Sequence, residues 1–122
     1  MHYVGVPTTP PREAEPALSA IHAAGGDELV RAMLTAFSAF ATSQWAWLEA
    51  QAAANAFEAV SIAARALRVS AQQVGAQAIA SACESAELAA AAHDAAAVAA
   101  ALHEVAQGIA EARPWLDARA AD

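Results

Sequence analysis

Residues 56–73 read AFEAVSIAARALRVSAQQ, and their apolar pattern is that of a helix with one buried face. On a helix that turns about 100° per residue, one direction collects four apolar side chains: Val60, Ala63, Ala64 and Leu67. Gly75 breaks the pattern. Because one amphipathic helix cannot bury its stripe alone, this stretch predicts further helices packed against it.

The chain before residue 56 predicts a short helix followed by a long one. The short helix covers 17–24, and Gly25-Gly26 suit its C-terminal cap. Asp27 suits the N-cap of the long helix, which runs to about Ala54 before the turn signal Asn55. Steps of three or four residues mark its predicted core stripe: Leu29, Met33, Phe37, Phe40, Gln44, Trp47 and Leu48. Residues 1–16 hold all but one of the prolines and predict a flexible leader.

Two more helices are predicted after Gly75. The first, over about 76–92, has one predicted buried face: Ile79, Ala82, Cys83, Ala86 and Ala90. Asp94 is predicted to cap the second, and its apolar face carries Val98, Ala101, Leu102, Val105 and Ile109. Pro114 is predicted to end this helix or to start a last short turn.

Short connections between amphipathic helices favour antiparallel neighbours. The sequence therefore predicts one all-α domain over 17–122, an antiparallel up-down-up-down four-helix bundle with a short leading helix. About a third of the 122 residues are alanine, which favours close-packed helices.

Composition excludes several classes of function. The net charge of −7, with six arginines and no lysine, speaks against nucleic-acid binding, which needs a clustered positive surface. No stretch reaches the roughly 18 strongly apolar residues of a membrane span. A lone cysteine excludes an intrachain disulfide framework, and no signal-peptide pattern is present at the N-terminus. These features predict a cytoplasmic protein.

The outward face of the helix over 56–73 carries an unusual set of residues. Arg65 points about 150° away from the core direction, with Ile62 and Val69 beside it and Ala66 between them. Two β-branched aliphatic residues on an exposed face lower helix propensity and gain nothing from the core. They fit either ordinary scattered surface residues or a contact patch with a cation at its centre.

This helix resembles the signature helix of histidine-containing phosphotransfer (HPt) domains, whose motif reads roughly His-x-Leu-Lys-Gly-Ser. Leu67, Ser70 and Gly75 fit the family's pattern, as do the Gly25–Leu29 and Cys83–Glu87 segments. The family carries phosphoryl groups between receiver domains of bacterial two-component phosphorelays. The resemblance implies a four-helix bundle and a partner that is a receiver domain or a sensor kinase.

The motif departs from the family at its reactive position. Arg65 stands where the family has the phosphoaccepting histidine, Arg68 replaces its lysine, and Val69 replaces its glycine. A guanidinium stays protonated and has no acceptor lone pair, so Arg65 cannot carry a phosphoryl group. The resemblance thus implies a degenerate, non-catalytic domain that acts as an adaptor or decoy for a response-regulator receiver. Its predicted docking face is Ile62, Arg65, Ala66, Arg68, Val69 and Gln72.

Two alternatives remain open. One is a helical interaction module outside the phosphorelay, either homodimeric or bound to an unrelated partner. The other is a phospho-carrier that uses His22, His93 or His103, although none of these occupies the motif position. His103 is predicted to be a partly buried packing residue, and Cys83 a small core residue.

No enzymatic chemistry is predicted. The spacing of the histidines and the single cysteine offer no metal-ligand pattern, and no cofactor motif is present. Glu84 and Glu87 are expected to form a solvated face and not an acid/base pair, since no partner base accompanies them.

Overall fold

The computed structural model describes residues 8–121, and they form helices with no strand. A 3-10 helix covers Arg12–Ala14. Four α-helices follow: α1 (Glu15–Ala53), α2 (Phe57–Gln73), α3 (Gln77–Ala91) and α4 (Ala95–Ala121). The all-helical prediction is confirmed for this part of the chain. None of these helices is long and apolar enough to cross a membrane.

The three connections between the helices share one hydrogen-bond geometry. Each holds one residue with positive φ: Asn55 (54°), Gly75 (76°) or His93 (54°). The amide of the next residue donates to a carbonyl five residues back, as Ala56 does to Gln51 at 3.0 Å. This is the Schellman arrangement, which satisfies the last carbonyls of a helix. After the third connection Asp94 caps α4 as predicted, because its Oδ1 accepts from the amide of Ala97 at 3.0 Å.

The core lies between helices that pack as neighbours in a closed set. Helix α1 packs against α2 and α4, and α3 packs against α2 and α4. Leu34, Leu48 and Leu67 are fully buried, and alanines fill much of the remaining interior. The predicted stripes of α2, α3 and α4 are confirmed by burial. Small side chains between the helices allow the close packing that the composition favours.

The start of the chain differs from its prediction. Residues 1–7 of the predicted leader lie outside the described residues. The helical part begins at Arg12 and Glu15 instead of 17, and Ala14 is completely buried. Ala14 is buried because it packs against Gly75. A Cβ added to Gly75 would lie 2.6 Å from the Cα of Ala14.

The predicted break at Gly25-Gly26 is present as a kink in α1, because Gly26 is non-helical with φ 72° and ψ −166° between two helical segments. The end of α4 differs from its prediction. Pro114 does not end α4, which continues to Ala121. Proline removes one backbone hydrogen bond from the helix. Trp115 and Leu116 are both buried, and their packing offsets the loss of that bond.

Candidate docking face on α2

The outer surface of α2 presents the predicted docking residues to solvent. Ile62 is 64% exposed and Val69 is 45% exposed, although both are large aliphatic residues. The Arg65 side chain is 67% exposed and stands between them on the same face. Ala66 and Gln72 are exposed as well, and only Arg68 is partly covered. The six residues therefore share the solvent side of one helix.

A carboxylate from α3 binds both arginines of this face. Arg65 Nε donates to Glu87 Oε1 at 3.2 Å. Arg68 holds the same carboxylate with two groups: Nε donates to Oε2, and Nη2 donates to Oε1 at 3.3 Å. The fork of a guanidinium suits this two-point contact with a carboxylate. Glu87 thus fixes both arginines of α2 from the neighbouring helix.

The prediction that Glu87 belongs to a solvated face is wrong, because its side chain is only 12% exposed. Burial alone would raise the pKa of Glu87, but hydrogen bonds from Arg68 and Arg65 outweigh burial and lower it. The same contact with Glu87 raises the pKa of Arg68. Glu87 therefore stays ionised and keeps both cations in place. Glu84 is exposed, as predicted.

The contact leaves part of the Arg65 guanidinium available. Its described hydrogen bond uses Nε, and no other partner is found for this side chain among residues 8–121. The two Nη groups carry four further N–H donors. Arg65 is thus a cation with a fixed stem and an exposed tip, suited to an acidic partner.

Helix α1 adds two exposed aromatic residues that the predicted site lacks. Trp47 is 55% exposed and Phe40 is 36% exposed, although both were predicted to lie in the core stripe. The buried stripe instead follows Leu34, Phe37, Ala41 and Leu48. Each residue of a helix is rotated by about 100° from the one before it, so with this stripe buried, residues 40 and 47 point away from the interior. The exposure of both residues could be predicted only once the buried stripe of α1 was known.

The aromatic residues of α1 lie on the side that faces α2. Gln44 Nε2 donates to the carbonyl of Ala63 at 3.0 Å, and this hydrogen bond joins α1 to α2. Gln44 precedes Trp47 by three residues, and Ala63 directly follows Ile62. Further along, Phe40 lines a shallow groove of about 190 Å³ together with Ser70, next to Val69. We call Phe40, Trp47, Ile62 and Val69 the α1–α2 apolar face.

The three candidate alternative histidines lie apart from one another, on α1, in the connection before α4 and on α4. His22 Nε2 lies 3.4 Å from Asp27 Oδ1, beside the kink of α1. The ring of His93 stacks on Phe57 with centroids 5.0 Å apart. His103 is exposed, so its predicted partial burial is wrong, because α4 turns that position outward from Leu102 and Val105.

Other reactive groups are either buried or scattered. Cys83 is completely buried, as predicted, and burial raises the pKa of its thiol to about 12. Within residues 8–121, no three side chains of the metal-ligating types lie together. A cleft of about 420 Å³ opens elsewhere, between the residues before α1, the start of α3 and Trp115 of α4. None of the predicted docking residues lines it.

Comparisons with protein-family models, with curated proteins and with solved structures found no match for this chain. The resemblance to phosphotransfer domains therefore rests on the residues and spacings of α2 and its flanks.

Proposed function

We propose that this chain is a degenerate, HPt-like binding module of bacterial two-component signalling. It docks on the receiver domain of a response regulator and acts as an adaptor or decoy, without carrying a phosphoryl group itself. The observation that carries the proposal is an exposed apolar surface on α2, Ile62 and Val69, centred on the cation Arg65. Exposed aliphatic residues around one fixed charge are typical of a contact surface.

With an arginine at the carrier position, the proposed module can bind a receiver domain but cannot accept a phosphoryl group. Phosphoryl transfer to a side chain needs a nitrogen with a free lone pair near neutral pH, which imidazole provides. Arg65 remains protonated and offers only donors. The proposed module therefore keeps the docking surface and lacks the nucleophile.

Arg65 is proposed to enter the acidic phosphorylation pocket of the receiver. Its Nε is held by Glu87, while its exposed Nη groups point to solvent and can donate to clustered carboxylates. A guanidinium held in advance loses less side-chain entropy on binding than a free one. Val69 fills space that a glycine would leave open, and so adds apolar contact beside the cation.

The architecture proposed for the module is an antiparallel up-down-up-down bundle. Three-residue connections between successive helices support it, since so short a link favours antiparallel neighbours. The closed pattern of contacts, with α1 against both α2 and α4, also fits four helices around one core.

Calorimetric titration against a panel of receiver domains from the same organism tests the proposal. We expect micromolar binding to one receiver and its loss in Val69→Asp, because a carboxylate on the docking face must be desolvated. Arg65→Glu should weaken binding at least about tenfold, since like charges at a contact cost more than 1.4 kcal/mol.

The matched control is Ala100→Asp, which adds the same carboxylate at an exposed position of α4. It should bind like the wild type. Silence across the whole panel, or equal binding by Val69→Asp and Ala100→Asp, would contradict the proposed docking face. Unchanged binding by Arg65→Glu would remove the role of the acidic pocket.

A further inference from the structure

We infer that the α1–α2 apolar face also binds a second copy of this chain, around a two-fold axis that passes close to Ile62. Glu58 of one copy would then lie opposite Arg65 of the other, and the pair would form twice. The inference rests on a charge pattern that is complementary to itself and on the exposed apolar residues that surround it.

The charge pattern follows from positions along α2. Glu58, Ile62, Arg65 and Val69 fall within about 60° of one another on a helix of 3.6 residues per turn. Glu58 precedes Ile62 by four residues, and Arg65 follows it by three. A two-fold axis at Ile62 makes two α2 helices antiparallel across the interface, so the acid of each copy meets the base of the other.

Both charged groups have capacity for this contact. Glu58 is exposed, and its carboxylate has no hydrogen bond or ion pair within residues 8–121. Arg65 gives only its Nε to Glu87, so its Nη groups can donate to Glu58 of the second copy while the internal contact persists. Two copies that each carry a net charge of −7 repel one another, and the paired Glu58 and Arg65 lower that repulsion where they touch.

The apolar residues give the interface its area. Ile62 would lie on its own symmetry mate, with Val69 further along α2 and Trp47 on the flank. A standard stable interface buries about 800 Å² per partner, so the proposed interface includes the α1 residues as well as those of α2. Tryptophan and arginine are among the residue types enriched at energetically dominant contacts.

Self-association would regulate receiver binding, a consequence that rests on the proposed function. Ile62, Arg65 and Val69 belong to both surfaces, so a chain paired with its copy cannot dock on a receiver through the same residues. Dimerisation would then withhold the module until its concentration falls or a receiver competes.

Sedimentation velocity on the chain alone tests the self-association without any receiver. The weight-average mass should rise with concentration from 12.4 kDa toward twice that value. Glu58→Arg places two arginine pairs face to face and should raise the dimer dissociation constant at least about tenfold, since like charges at a contact are strongly unfavourable. The double variant Glu58→Arg, Arg65→Glu restores opposite charges and should recover much of the dimer.

Two control variants separate this pairing from general effects of charge. Glu104→Arg makes the same change at an exposed position of α4 and should dimerise like the wild type. Glu87→Gln removes the internal partner of Arg65 but not the intermolecular one, and the dimer should persist. A monomer at all concentrations would overturn the inference and leave the face to a different partner. A dimer unaffected by Glu58→Arg, or no recovery in a folded double variant, would also overturn it.

Discussion

Glu87 is the residue that organises the charged part of the α2 surface. It comes from a different helix, accepts hydrogen bonds from both Arg65 and Arg68, and is largely buried. Partly buried carboxylates of this kind contribute more than exposed pairs, because solvent screens them less. The position of both guanidinium groups therefore depends on one side chain of α3.

Replacing Glu87 with glutamine should lower the free energy of unfolding by about 1 kcal/mol, the range of charge-assisted hydrogen bonds near a surface. Glu84→Gln, one turn earlier on α3 and exposed, should change it by less than about 0.5 kcal/mol. Urea titration of the two variants and the wild type measures both effects. Equal stabilities of the two variants would show that the Arg65–Glu87–Arg68 contact contributes nothing.

The stabilising effect of Glu87 should depend on pH in one direction. The pKa of Glu87 is lower in the folded chain than its usual value near 4.5, so the unfolded chain binds the proton more readily. The stability difference between wild type and Glu87→Gln should be full above about pH 5.5 and should shrink as the pH falls through the folded pKa. Urea titrations between pH 3 and 7 check this, and a difference that grew toward acid would contradict the assigned direction.

Cys83 should be protected from thiol reagents in the folded chain. Burial and the nearby Glu87 raise the pKa of its thiol to about 12, so the reactive thiolate is scarce at pH 8. We expect labelling by an aromatic disulfide to be slower than that of the urea-unfolded chain by a factor of at least about 100. Rapid labelling of the folded chain would show that the α3 stripe is accessible.

At the scale of the helices, two glycines hold conformations that other residues rarely adopt. Gly26 has φ 72° and ψ −166°, a region open almost only to glycine, and an added Cβ there would meet nothing. Gly75 has φ 76°, and an added Cβ would also lie 2.6 Å from Ala14 Cα. The first glycine kinks α1, and the second joins α2 to α3 against the residues that precede α1.

Gly26→Ala should destabilise the fold by about 1–3 kcal/mol through backbone strain alone. Gly75→Ala should cost more, because the backbone of Ala14 must also move away. Thermal unfolding of the two variants ranks them. The reverse order, or no effect at Gly75, would contradict the close packing of Ala14 on this connection.

The sequence predicted the helices of this chain and most of their buried faces better than it predicted the contacts between side chains of different helices. Stripes on α2, α3 and α4 could be read because their apolar residues repeat cleanly and their ends carry Asn55, Gly75 and Asp94. In α1, alanine lies on every face, so the apolar pattern does not show which face is buried. It therefore predicts a buried Trp47, which the structure exposes. The contact between Glu87 and Arg65 spans 22 residues and depends on how α3 packs on α2, which local periodicity does not specify.

In the folded chain, the core side and the proposed docking side of α2 should respond differently to truncation. Leu67 is fully buried, and Leu67→Ala should cost about 2–5 kcal/mol through the cavity it leaves. Val69→Ala, two residues later and 45% exposed, should cost less than about 1 kcal/mol. Urea unfolding measures both, and a large loss at Val69 would mean that this residue supports the fold and not a docking surface.

Restoring a histidine at position 65 tests the proposed relation of α2 to a phosphotransfer helix. If α2 presents a phosphotransfer site with Arg65 at the carrier position, the variant Arg65→His, Val69→Gly should accept a phosphoryl group from a phosphorylated receiver. The P–O bond of the receiver's aspartyl phosphate breaks, and a P–N bond forms to the new imidazole. We expect acid-labile phosphorylation of this variant, detected by intact-mass spectrometry, and none of the wild type. A folded variant that binds the receiver and stays unphosphorylated would show that α2 does not present a phosphotransfer site.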